Sequence, residues 1–284
     1  MAIALLAMSL AWAGPTASRP VSAQVPERPH LPSAGLSAPG VDVPCEPSAD
    51  RPVPLILLHG TRSDRTINWS YLGPELAAMG FCVYSLDFPD RGQVPVPDSV
   101  AALAARVEEV KRETGAPKVS LFGHSLGGVV ARDYVKRGGG LTMVEDVVAM
   151  GTSHTGYYTE PPGDQVDALF NTECHACFDQ ARGSDYMLGL NDGPDLTPGS
   201  ASYTSIITAY DGVALPLESQ YLPEGPEVAN ILLQDACPDH FVDHVTLALD
   251  PLVRDWVVNA LERAGPADES RTVDCAPPLS RRGS

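Results

Sequence analysis

Lys118-Val119-Ser120-Leu121-Phe122 runs without a break into Gly123-His124-Ser125-Leu126-Gly127-Gly128. The first five residues read as a short buried strand, apolar enough to be covered on both faces of a parallel sheet. A helical run follows the turn to about Arg137 and is stopped by Gly138-Gly139-Gly140. A Gly-x-Ser-x-Gly sequence between a strand and a helix forces its serine onto a sharp turn with the hydroxyl exposed. Neighbouring side chains would collide across that turn, which is why glycines flank it. Ser125 is therefore the candidate nucleophile. The plainer reading is an ordinary tight turn carrying a surface serine.

The pattern repeats on either side of this unit. Val53 to Leu58 is a continuous apolar run ending at His59-Gly60, and a helical pattern runs from about Asn68 to Met79. Phe81 to Leu86 reads as the next strand. Ser99 to Thr114 reads as an amphipathic helix, with Val100, Leu103, Val107 and Val110 on one face. Val144 to Met150, Tyr203 to Ala209 and Val228 to Leu233 read as later strands, and Leu249 to Arg263 as a closing helix. The stretch from Gly151 to Ser202 is poorly periodic and reads as a long functional loop. Strands alternating with helices imply an α/β fold. Its central sheet would be mostly parallel, of about six strands, with helices on both faces. Ligands in such sheets bind at the carboxyl ends of the strands. His59-Gly60, Ser125, Asp211 and the chain near His244 all follow strand ends.

A serine hydroxyl needs a base to attack at neutral pH. The expected order along the chain is serine, acid, histidine. His30 falls in a proline-rich stretch, His59 and His124 in glycine turns, His154 ahead of the expected acid, and His175 between two cysteines. His240 and His244 remain. Asp211 directly follows a strand, in a turn with Gly212, where a carboxylate can fix the tautomer of an imidazole. Asp195, Glu218 and Asp235 compete with it. Two backbone donors are expected for an oxyanion: the N–H of Leu126, and one from the loop after the first strand, where Thr61 is the choice. The Thr61 hydroxyl offers a third donor.

The chain has 284 residues, 44% of them hydrophobic, and a formal charge of −17 from 19 basic and 36 acidic side chains. That hydrophobic share supports a sizeable core. The acidic balance excludes nucleic acid as a partner and disfavours docking to anionic lipid. Apolar contact with a lipid surface stays open. Residues 1–23 read as a signal peptide: Ala2 to Ala13 is apolar but too short to span a bilayer, and Ala11-Trp12-Ala13 and Val21-Ser22-Ala23 offer small-x-small sites. No Lys or Arg precedes the run, and an N-terminal helix of the folded domain is the alternative. Residues 24–44 read as a proline-rich linker, since ten of the 27 prolines lie between Pro15 and Pro54. Residues 45–284 are the expected catalytic domain, with a polar tail from Gly265. The six cysteines are Cys45, Cys82, Cys174, Cys177, Cys237 and Cys275. In an exported chain they suggest disulfides, with 15 possible pairings. Cys174 and Cys177 could instead be a redox or zinc pair, but no thioredoxin-like or four-ligand context accompanies them.

The ordered set of motifs resembles the secreted bacterial class 2 lipases, small α/β-hydrolases of the actinobacterial type. The likeness spans about Cys45 to Cys275. It rests on Leu57-Leu58-His59-Gly60-Thr61, Asn68-Trp69, Gly80-Phe81-Cys82-Val83, the turn at Ser125, Tyr203-Thr204-Ser205-Ile206, Tyr210-Asp211, Gln234-Asp235-Ala236-Cys237-Pro238 and Asp243-His244. The resemblance implies an α/β-hydrolase fold and a triad of Ser125, Asp211 and His244, favouring His244 over His240. It implies pairings Cys45–Cys82, Cys174–Cys177 and Cys237–Cys275. It implies hydrolysis of triacylglycerol or related esters through an acyl-enzyme, by a monomer, outside the cell, without metal or organic cofactor. The stretch from Tyr210 to Pro216 and that from Gly151 to Gly156 depart from the family pattern where the acyl pocket is expected. A carboxylesterase or cutinase-like polyester hydrolase is therefore the rival reading. An acyltransferase and a non-catalytic binding relative stand further off.

Overall fold

A computed structural model describes residues 35–158 and 174–275. These belong to one compact unit, Leu31–Ser284; the other, Met1–His30, lies outside the described residues, as does the expected signal peptide.

Six strands form one sheet: β1 (Leu55–Leu58), β2 (Val83–Leu86), β3 (Val119–His124), β4 (Val144–Met150), β5 (Ser202–Ile207) and β6 (Val228–Leu232). Their order is β2-β1-β3-β4-β5-β6, and every pairing is parallel. Alternation along β1 shows how the sheet is covered. Leu55 and Leu57 enter one core cluster and Ile56 and Leu58 the other, and all four are fully buried. Each such side chain contributes about 1.5–3 kcal/mol relative to exposure. The helices α3 (Val96–Thr114) and α4 (Leu126–Lys136) supply one cluster; α2 (Leu72–Ala78) and the closing helix (Pro251–Leu261) supply the other. The sheet is thus sandwiched, as the alternating pattern predicts.

Several boundaries differ for physical reasons. The helix expected over Asn68 to Met79 is shortened to α2, and a separate short helix, α1 (Arg65–Asn68), precedes it. Asp64 caps α1 by accepting from the Ile67 N–H. The break frees Trp69 to pack in the core against Phe122, ring centroids 5.1 Å apart. α3 begins three residues before the expected Ser99, because the Val96 N–H is taken by Asp179 Oδ2, 2.8 Å away. Such a distant partner leaves no local sequence signal. The stretch read as a long loop contains two short helices, α5 (His175–Asp179) and α6 (Asp185–Leu190). Both are too short to show helical periodicity. Cys174 is the N-cap of α5, which corrects the loop reading there; residues 159–173 lie outside the described part.

The expected linker over 24–44 is also partly domain. Val41 is buried, the Asp42 N–H donates to the Val83 carbonyl, and the Asp42 carboxylate receives Ser85 and Arg106. At the other end, buried Ala267 donates its N–H to Thr204 Oγ1. The three disulfides are Cys45–Cys82, Cys174–Cys177 and Cys237–Cys275. α7 (Leu233–Ala236) follows β6, and the closing helix is α8.

Candidate active site

Ser125 sits between the last residue of β3 and the first of α4, with φ 55° and ψ −118°. A non-glycine residue at positive φ is strained and persists only where its surroundings hold it. Here they do. The Ser125 N–H donates to the Met150 carbonyl, and its own carbonyl accepts from the Gly128 N–H and from Thr152 Oγ1. The flanking glycines are steric necessities. A Cβ on Gly123 would lie 2.3 Å from the Gly127 carbonyl carbon, and one on Gly127 would lie 2.1 Å from the Leu58 carbonyl oxygen.

Asp211 lies four residues past β5. Its Oδ1 accepts the N–H groups of Val213 and Ala214, each at 2.8 Å, and its Oδ2 lies 2.8 Å from His244 Nδ1. Burial alone would push this carboxyl up. The His244 hydrogen bond and charge, with the two amides, outweigh burial and hold it below the usual range. A carboxylate can only accept, so the shared hydrogen sits on Nδ1 and the Nε2 of His244 is left as the free nitrogen. Ser125 and His244 both line one cleft of about 290 Å³. No hydrogen bond joins the Ser125 hydroxyl to His244 in the described residues; such bonds are commonly loose before substrate binds. Ile67, Val245 and Leu249 form the apolar side of the cleft.

Thr61 lines the same cleft from the loop after β1. That loop is tightly held. His59 Nε2 accepts the Phe88 N–H while its Nδ1 meets the Gly60 carbonyl at 2.8 Å. Burial keeps His59 below its ordinary pKa. The Gly60 N–H donates to Asn68 Oδ1 and the Arg62 N–H to the Arg91 carbonyl. Leu126, the residue after Ser125, begins α4, where backbone N–H groups have no helical partner.

The other sequence candidates go elsewhere. His240 pairs with Asp250 at 2.8 Å, and Asp250 caps α8. Asp195 holds the Thr197 N–H. His175 is exposed, and His154 is fully buried against Ser205 Oγ, 3.3 Å away. Burial drives the His154 pKa well down, with Arg132 adding to it. Three contributors escaped sequence reasoning: Asn68 beneath the Thr61 loop, Thr152 on the Ser125 carbonyl, and Gln180, whose amide reaches Thr61. Asn68 was visible only as part of a family-like Asn-Trp pair and Thr152 only within the Gly151 to Gly156 stretch; nothing local marks Gln180. Among the described residues, no group of three or more His, Cys, Asp or Glu is arranged to hold a metal ion.

The model of the alpha/beta hydrolase family matches residues 55–276. The chain belongs to that family. No curated protein matches it. Among solved structures, Aspergillus fumigatus lipase B is similar with a TM-score of 0.69 at 20% identity, over 80% of this chain and 57% of that one. The propeptide form of a Bacillus licheniformis lipase gives 0.62 at 19% identity, over 81% and 55%. This chain thus spans little more than half the length of those two. The mature form of the Bacillus licheniformis lipase gives 0.60 at 17% identity, over 77% of this chain and 96% of that one. At such identities the likeness is one of fold.

Proposed function

We propose that this hydrolase cleaves carboxylic esters of lipids outside the cell, with Ser125 as nucleophile, His244 as base and Asp211 as the carboxylate that orients it. The observation that carries the reading is the 2.8 Å bond between His244 Nδ1 and Asp211, on the cleft that Ser125 also lines. It leaves Nε2 free to take a proton. The strained backbone at Ser125 supports the same assignment.

The chemistry follows the triad logic. Ser125 Oγ attacks the ester carbonyl carbon as His244 Nε2 takes its proton. The oxyanion is held by the N–H groups of Thr61 and Leu126. His244 returns the proton to the departing alcohol, leaving an acyl-Ser125 ester. Water, activated by His244, attacks that ester, and the carboxylic acid leaves as Ser125 recovers its proton. Asp211 stays ionised and steadies the imidazolium.

An apolar wall of Ile67, Val245 and Leu249 suits an alkyl or acyl chain, and their exposure at 61%, 68% and 48% suits brief contact with a lipid surface. Three disulfides fit an oxidising, extracellular setting. The finer likeness to the secreted class 2 lipases is part of this proposal.

The test is turnover of p-nitrophenyl esters from short to long acyl chains, with emulsified triglyceride alongside, for wild type and Ser125→Ala. We expect turnover of the longer esters and triglyceride by wild type, and none by the variant. Equal rates in both proteins would remove Ser125 from the chemistry. Activity limited to short soluble esters would make the protein a carboxylesterase. N-terminal sequencing of protein from culture medium tests export; a start at Met1 contradicts a cleaved signal.

A further inference from the structure

Gln180 lies 119 residues from Thr61 in sequence and touches it in space. It is the C-cap residue of α5, buried at 4% exposure, and the Cys174–Cys177 disulfide closes the turn that starts that helix. Its side-chain Nε2 donates to the Ala176 carbonyl at 3.0 Å. A carbonyl can only accept, so this contact settles which end of the amide is which. The same Nε2 faces Thr61 Oγ1 at 3.5 Å, a long contact. An amide nitrogen of this kind donates and does not accept. The Thr61 hydroxyl is therefore met by a hydrogen, and its own hydrogen must turn away from Gln180. Thr61 lines the cleft with Ser125 and His244.

We propose that Gln180 is a positioning residue that turns the Thr61 hydroxyl hydrogen into the cleft, so that Thr61 presents an oxyanion with a side-chain donor beside its backbone N–H. The inference rests on the ester-hydrolase reading above, and it assigns a task to the segment carrying Cys174 and Cys177. A donor already aimed when charge develops needs no reorientation during the reaction. Gln180 touches no substrate in this account; it acts through Thr61.

The experiment is a double-mutant cycle on the full chain with a soluble p-nitrophenyl ester. Thr61→Val keeps the backbone donor and removes the hydroxyl, and should lower kcat about 100-fold, the scale of one lost oxyanion donor. Thr61→Ser, which keeps the hydroxyl, should restore most of the kcat that Thr61→Val loses. Gln180→Glu keeps the shape but offers an acceptor, which draws the Thr61 hydrogen out of the cleft. It should lower kcat about tenfold with little change in KM. The same Gln180→Glu change in the Thr61→Val background should alter kcat by less than about twofold, because the group it acts through is gone. A merely structural Gln180 would slow both backgrounds alike, and that result overturns the proposal. Should Gln180→Glu fail to fold, Gln180→Met removes the donor at similar volume in the same cycle. Full kcat in Thr61→Val overturns the proposal whatever Gln180 variants do. Labelling of Ser125 by a fluorophosphonate separates the two levels. A labelled Ser125 with an additive cycle sinks only the role of Gln180; an unlabelled Ser125 sinks the hydrolase reading beneath it.

Discussion

His124 Nε2 lies 2.8 Å from the backbone carbonyl oxygen of His244, 120 residues further along the chain. Burial, and then the neighbouring His244, pull the His124 pKa down to about 3, so the ring is neutral in use and carries one N–H. A carbonyl only accepts, which places that hydrogen on Nε2. Nδ1 faces Asn68 Oδ1 at 3.0 Å, and that same oxygen takes the Gly60 N–H. With a neutral ring, the Asn68 amide cannot satisfy both neighbours at once. The residue before Ser125 thus anchors the loop of the proposed base through its Nε2–H. His124→Phe should cost about 1–3 kcal/mol by leaving a buried carbonyl unpaired, and should lower kcat with it. His124→Gln, which can still offer an N–H, should recover part of both. Urea unfolding and ester kinetics read the two effects. Unaltered stability in the phenylalanine variant would show that the anchor carries no weight.

Gly127 is a constraint of packing rather than of hydrogen bonding. Its missing methyl group would sit 2.1 Å from the Leu58 carbonyl oxygen and 2.8 Å from the carbonyl carbon. Those are backbone atoms of β1, and they cannot step aside as a flexible side chain can. Gly127→Ala should therefore destabilise the domain by about 3 kcal/mol or more, at the upper end of overpacking costs. Soluble yield and thermal unfolding measure it. A variant that melts with the wild type would mean that β1 and α4 can separate freely at this point.

Much of this was legible in the sequence because it is local. β3, the turn at Ser125 and α4 form one uninterrupted strand–glycine–helix pattern, and burial of β1 on both faces follows from four apolar residues in a row. Asp211 and His244 were readable as candidates because each follows a strand at the sheet's carboxyl edge. What stayed hidden is non-local. The early start of α3 depends on Asp179, the docking of residues near Asp42 depends on Ser85 and Arg106, and the Thr61 loop depends on Asn68 and Gln180. Spacing along a chain carries no trace of such partners. α5 and α6 were missed for a different reason: five and six residues make fewer than two turns, too few for a periodic stripe.

Asp146 gives the domain a pH dependence of defined sign. It is buried in β4 between the hydroxyls of Ser120 and Ser202, which donate to it at 2.7 Å each. Burial raises its pKa from an ordinary 3.8 to about 6, more than those hydroxyls restore. The folded state then holds a proton that the unfolded state has already lost. The contribution of Asp146 to stability is greatest below about pH 4 and falls as pH rises towards 6, staying low above it. At about 1.4 kcal/mol per pKa unit, the difference amounts to about 3 kcal/mol. Asp146→Asn keeps the shape without the charge. It should raise stability at pH 7–8 by an amount of that order and change it little at pH 4. Urea unfolding across pH 4–8 checks the sign; a variant weaker than wild type at pH 8 would mean that the two serines more than offset burial.

The exposed aromatic side chains next to Asp211 and His244 in sequence can be tested apart from the chemistry. Phe241 is 70% exposed and packs at a tilt against Tyr210, ring centroids 4.8 Å apart. Tyr210 adjoins Asp211, and Phe241 lies three residues before His244. Neither lines the cleft beside Ser125, so neither should touch a small substrate. Burying such side chains in an oil surface is favourable, and the chain's charge of −17 makes a neutral surface the suitable one. Phe241→Asp should leave turnover of soluble p-nitrophenyl acetate within about twofold and lower turnover of emulsified triglyceride about fivefold or more. Vesicle flotation adds a second reading: wild type should float with zwitterionic lipid more than with anionic lipid, and the variant with neither. Equal losses on soluble and emulsified substrates would place Phe241 in the folding of the His244 loop instead. Equal retention on both would leave the exposed ring without a part in reaching lipid.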